Sequence, residues 1–176
     1  MTPSLTDQLC THCGLCCDGS LFADVELAGR AEATGLVILG LEVEDDQDGA
    51  VLLQPCRALR GRRCGIYAHR PRCCRTFECR LLQDARSGAV SVEAARKRIA
   101  ETLAGIQRAK VLLARMDRTH RNLPLRERCA EALARMPDGR ALTNRRRAEL
   151  GSTMAKVEGR IRKHFLRSEA SRRSGA

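Results

Sequence analysis

The sequence predicts an α+β protein: a small, irregular, cysteine-rich domain with a short β-hairpin, followed by an α-helical extension of about three helices. Three observations lead there. Nine of the ten cysteines fall between positions 10 and 79, and only Cys129 lies beyond. Charge divides the 176 residues near position 90, with 10 Lys+Arg against 12 Asp+Glu before it and 22 against 9 after it. Sustained helical periodicity begins only after that point. The expected boundaries are a cysteine-rich domain over 1–87, a basic helical extension over 88–166 and a disordered tail over 167–176.

Within the first domain, residues 24–34 (DVELAGRAEAT) predict a short helix that Gly35 closes in the left-handed conformation. LEVE (41–44) and AVLLQ (50–54) flank the acidic turn DDQDG and predict the hairpin. Pro55 cannot donate to a ladder and ends it, so Cys56 leaves at its exit. Residues 57–79 mix Arg, Gly and Cys without periodicity. They read as loops and single turns held by something other than a core.

In the second domain Ser91 is an N-cap, and Glu93 sets an acid in the first turn, where the helix dipole favours it. Val92, Ala95, Ile99, Leu103, Ile106, Leu113 and Met116 recur at helical steps and predict one long helix to about Met116. Pro124 opens a shorter helix with Leu125, Cys129, Leu133 and Met136 on its apolar face, and PDG (137–139) breaks it. Leu150, Met154, Val157, Ile161 and Phe165 define a third. Cys129 lies on an apolar stripe and is expected to be a buried, inert thiol.

No apolar run reaches the roughly 18 residues of a membrane-spanning helix. MTPSLTDQLC has neither the basic nor the apolar region of a secretory signal, so the expectation is a cytoplasmic chain. A reducing compartment disfavours disulfides and makes clustered cysteines metal-binding or catalytic. No Ser/His/Asp order, phosphate loop or H-E-x-x-H helix supports a hydrolase or kinase, and the sequence leaves enzymatic activity open.

The chemistry therefore rests on cysteine. CTHCGLCC (10–17) presents Cys10, Cys13, Cys16 and Cys17, and the stretch 55–79 adds Cys56, Cys64, Cys73, Cys74 and Cys79. Thiolates are soft ligands, and a C-x-x-C turn directs two sulfurs at one point, with further thiols completing a tetrahedron. The adjacent pair is the unusual detail. Neighbouring side chains should diverge, so Cys16 is expected to join Cys10 and Cys13 while Cys17 faces a second centre or bridges to it.

This pattern resembles the YkgJ-type cysteine-cluster proteins, the zinc- or iron-chelating C-x-x-C-x-x-C-C domain. The likeness runs through CTHCGLCC, PCRAL, CGIY and RPRCCRTFEC, over about residues 8–82. It implies eight metal-binding cysteines: Cys10, Cys13, Cys16, Cys17, Cys56, Cys64, Cys74 and Cys79. Cys73 is extra to the pattern and is able to substitute for Cys74, and Glu78 stands where many relatives have Pro. A similar domain occurs in flagellin lysine N-methylases, associated there with an iron–sulfur cluster. No G-x-G-x-x-G loop follows a strand here, so methylase activity does not carry over.

Two cofactors suit these thiols. C-x-x-C-x-x-C is similar to the run that holds three corners of a [4Fe-4S] cluster, with Cys56 as a fourth ligand. Zinc accepts the same sulfurs, and eight thiolates divide into two Cys₄ sites. His12 and His69 are expected to stay outside the ligand set. Tyr67 is expected to pack beside the site, and Arg70, Arg72, Arg75 and Arg80 to offset thiolate charge. Three readings follow: a redox accessory protein with an iron–sulfur centre, a zinc-stabilised module that docks an unidentified protein partner, and a metal-dependent nucleic-acid binder. The basic half, with NRRR (144–147), gives nucleic acid a salt-sensitive attraction but no aromatic interleaving or helix-turn-helix for specific binding. Membrane partners are not expected, and oligomeric state is left open.

Overall fold

Asp24–Glu26 is a strand, not the start of the helix expected over 24–34. In this computed structural model, which describes residues 4–46, 49–116, 123–134 and 141–166, that strand (β1) pairs antiparallel with Gly49–Leu53 (β3), setting Val25 opposite Leu52. Pairing outcompetes the local helix preference because it packs Val25 against the small core beside β3. The helix (α2) begins only at Arg30 and runs through Gly35 to Ile38. It ends one turn later than expected, with Gly40 at φ 79° and the Leu41 N–H donating to the Leu36 carbonyl at 3.0 Å.

The expected hairpin forms. Val43–Asp46 (β2) pairs with β3, with Val43 opposite Leu52 and Glu44 opposite Val51, and the sheet order is β1-β3-β2. The turn residues Gln47 and Asp48 lie outside the described residues. Leu36, Leu41, Leu52 and Ala58 make the small core of this region, with Val25, Leu27, Val43, Cys56 and Ile66 packed against it. Residues 57–78 are short pieces, as expected: Leu59–Arg60 (β4) pairs with Arg63–Cys64 (β5), then come a 3₁₀ turn at Tyr67–His69 and Arg72–Thr76 (α3).

One helix precedes all of this, Leu5–Cys13 (α1), a short element outside the expected helices. Its signal is the S-x-x-D box: the Asp7 N–H donates to Ser4 Oγ at 3.1 Å and the Ser4 N–H to Asp7 Oδ2 at 3.3 Å.

The chain divides into two compact units, Met1–Glu78 and Cys79–Ala176. The second unit is helical, with Arg80–Arg86 (α4), Val92–Met116 (α5), Leu125–Ala134 (α6) and Ala141–His164 (α7). Ser91 caps α5 as expected, accepting the Ala94 N–H at 3.1 Å. The buried stripe of α5 contains Ala95, Ile99, Thr102, Ile106, Ala109, Leu112 and Leu113. Thr102 takes the inward place expected of Leu103, and its hydroxyl satisfies itself on the Arg98 carbonyl at 2.8 Å. Against that stripe α7 buries Leu150, Met154, Val157 and Ile161, and Phe165 follows. Arg147 donates to the Ala132 and Leu133 carbonyls and so closes the C-terminal end of α6. Met136, the PDG break and the tail over 167–176 lie outside the described residues. Among the described residues, no helix is long and apolar enough to cross a membrane.

Candidate metal centre

CTHCGLCC is two pieces of structure. Cys10 and Cys13 stand three residues apart at the end of α1 and so share a helix face. Gly14 then terminates the helix at φ 71°, a left-handed conformation that a side chain disfavours. Its carbonyl accepts the N–H groups of Cys17 and Asp18, each at 3.0 Å, which winds residues 15–19 into a tight turn. Leu15, fully buried, anchors that turn. Space is also tight at position 14, where a Cβ would meet the Arg62 Cα at 3.3 Å.

The remaining cysteines of the first unit are tied to this turn by backbone. The Cys56 N–H donates to the Cys17 carbonyl at 2.8 Å and to Gln54 Oε1 at 3.0 Å. Gln54 is 4% exposed, so its amide fixes the hairpin exit from within the core. Cys64 ends β5, the strand that packs on α1. Cys73 and Cys74 ride on α3. Glu32 Oε1 accepts the Arg72 N–H at 2.7 Å, and Glu32 Oε2 accepts the Ala28 N–H at 2.9 Å. One carboxylate thus joins α3 to the entry of α2. Beyond α3, the Phe77 ring meets Phe22 edge-on at 5.1 Å.

The sulfurs of Cys16 and Cys17 lie 3.7 Å apart. This corrects the expectation that the adjacent side chains diverge. Side chains alternate by half a turn in a strand, but in a helical turn successive residues are only about 100° apart, and both sulfurs swing to one side. Cys73 and Cys74 repeat the arrangement at 3.9 Å. Among the described residues, no group of three or more Cys, His, Asp or Glu is drawn together tightly enough to hold an ion. None of the ten cysteines forms a disulfide.

Each doublet titrates as a unit. The hydrogen bond with Cys17 pulls the Cys16 thiol down, against the opposing effect of burial, and Arg70 helps. Cys17 is pushed up by the same bond, by burial and by the charges of Cys16, Cys56 and Cys74. In the second pair Cys74 brings Cys73 down to about 7, while Cys74 itself rises through Cys73 and burial. Burial raises Cys56. Within each pair one thiol is thus lowered and its neighbour raised, because the two sulfurs share one hydrogen bond. These mutual charges also show that Cys16, Cys17, Cys56 and Cys74 lie within electrostatic range of one another.

The other expected residues sort as follows. His12 is exposed and pairs its Nδ1 with the Thr11 hydroxyl at 3.0 Å, and His69 is exposed at the end of the 3₁₀ turn. Tyr67 gives little cover, being 48% exposed, with the Arg70 guanidinium 3.7 Å from its ring centre. The charge of Arg70 helps to lower the Cys16 thiol. Arg80 pairs with Asp84 at 3.7 Å in α4. Cys79 is the N-cap of that helix and opens the second unit, its carbonyl accepting the Gln83 N–H at 3.1 Å. Cys129 is buried, and burial raises its thiol to about 11.

A family model matches residues 9–102, just over half of the chain. The chain belongs to the CxxCxxCC family. That family is described as a "putative zinc- or iron-chelating domain". The CxxCxxCC signature is Cys10, Cys13, Cys16 and Cys17, so it spans the end of α1 and the Gly14 turn. The span matched to the CxxCxxCC family also contains Cys56, Cys64, Cys73, Cys74 and Cys79 and leaves Cys129 outside. No curated protein and no solved structure matches the chain.

Proposed function

We propose that the first unit is a thiolate metal-binding module that takes zinc, with donors drawn from Cys10, Cys13, Cys16, Cys17, Cys56, Cys64 and Cys74. The sulfur spacing in the doublets carries this reading. Two thiolates on one tetrahedral zinc, with Zn–S bonds of about 2.3 Å, are separated by about 3.8 Å. Cys16 and Cys17 are 3.7 Å apart, which is van der Waals contact for sulfur and also this tetrahedral edge. A cubane cluster takes a single cysteine at each corner iron, so a close pair suits a mononuclear ion better.

The role we assign to the metal is cohesion. The hydrophobic core of the unit is small, and residues 57–78 contain only two-residue strands and single turns. A structural zinc contributes about 10–16 kcal/mol of apparent free energy in small domains. Cys56, packed on that core, would transmit the metal's hold directly to the sheet. The zinc-stapled surface would then serve as a docking module for a protein partner.

A [4Fe-4S] centre is the second reading, favoured by the C-x-x-C-x-x-C spacing of Cys10, Cys13 and Cys16. Anaerobic purification with zinc, iron and sulfide analysis separates the two. The expected result is a colourless protein containing zinc and no acid-labile sulfide. A brown protein with sulfide in proportion to iron would replace zinc with the cluster.

A further inference from the structure

We propose that Cys73, which lies outside the family pattern, is itself a metal ligand and clamps one ion together with Cys74. The inference rests on the zinc-module reading and extends it to a residue that the resemblance leaves out.

Cys73 and Cys74 form the same construction as Cys16 and Cys17. Each pair is adjacent in sequence, sits in a helical turn and brings its sulfurs to within 0.2 Å of the other pair's spacing, 3.9 Å against 3.7 Å. Both values match the roughly 3.8 Å edge of a tetrahedral zinc–thiolate site. The second doublet is also braced. Its helix is fixed at the start by Glu32 on the Arg72 N–H, and within by the Phe77 N–H on the Cys73 carbonyl at 3.0 Å. The Phe22–Phe77 ring contact holds the exit. Such bracing limits the reorganisation needed to present both sulfurs at once. With Cys73 included, residues 1–78 contain eight cysteines, the number that two Cys₄ sites require.

Cobalt(II) substitution of the full chain tests this through the sulfur-to-cobalt charge-transfer band, whose intensity grows with the number of bound thiolates. Cys73→Ser should lower the band relative to the unsubstituted protein and speed cobalt loss to a chelator by about tenfold or more. A Cys73→Ser protein with undiminished band intensity and unchanged cobalt retention would overturn the assignment. If the unsubstituted protein gives no charge-transfer band, the metal-module reading fails and takes this inference with it. A second measurement needs no variant: mass-spectrometric mapping of alkylation on zinc-loaded and zinc-free full-length chain. Zinc should protect Cys73 along with Cys74. Equal labelling of Cys73 in both states, with Cys74 protected, would remove Cys73 from the ligand set.

Discussion

Arg62 reaches back across fifty residues to donate from Nη1 to the His12 carbonyl at 3.0 Å. The contact clamps the turn between β4 and β5 onto the end of α1, between Cys10 and Cys13. The same arginine's backbone stands against Gly14, where a Cβ would meet its Cα at 3.3 Å.

This clamp should matter in a ranked way. Arg62→Ala removes one hydrogen bond, worth about 0.5–1.5 kcal/mol, and should weaken zinc retention about 2- to 10-fold in competition with a chromogenic chelator. Gly14→Ala should cost more, because a left-handed alanine loses about 1–2 kcal/mol before the Arg62 backbone has to move. Equal retention in the two variants would show that the approach of Arg62 to Gly14 does not hold the site.

Metal removal should act on one unit. A strong chelator added to the full chain is expected to collapse amide dispersion over residues 4–78 while leaving α5 and α7 protected from hydrogen exchange. The helical unit has its own buried stripe, whereas the first unit has a small core and many short elements. Unchanged spectra in the first unit after verified zinc loss would rule out a stapling role.

Gly105 reports on the helical unit. A Cβ there would lie 2.7 Å from Val157 Cγ2, and valine on a helix has little rotamer freedom to yield. Helix propensity favours Gly105→Ala by about 1 kcal/mol, but overpacking costs about 1–3 kcal/mol. The expected net result is a lower melting temperature for this unit, read by calorimetry. A higher one would mean that α5 and α7 separate easily.

Cys129 adds a pH dependence. Its folded-state thiol ionises at about 11, above the unfolded value of about 8.5. The unfolded chain therefore releases this proton first, so the stability contribution is whole below about pH 8.5 and falls as pH rises toward 11. Denaturant midpoints across that range should fall less steeply in Cys129→Ala than in the unsubstituted chain. The thiol should also resist alkylation at pH 8 until the protein unfolds.

Much of the helical half was legible because its elements are long. Ser91, the α5 period and the stripe ending at Phe165 repeat often enough for local pattern to decide structure. The hairpin was legible for a related reason, since LEVE and AVLLQ bracket an acidic turn. The short elements were not. Three residues at 24–26 carry no decisive period, and α1 shows only a capping box.

The sequence alone determined the α+β class, the chelating family and the density of thiols, because composition, spacing and periodicity are properties of the chain. Tertiary structure decided the rest. Whether Asp24–Glu26 is helix or strand depends on β3 lying beside it, a contact with residues nearly thirty positions away. Whether Cys16 and Cys17 diverge or converge depends on the turn wound by the Gly14 carbonyl, which sets neighbours about 100° apart rather than on opposite faces. Adjacency in the chain says nothing about direction; the backbone conformation around each doublet does.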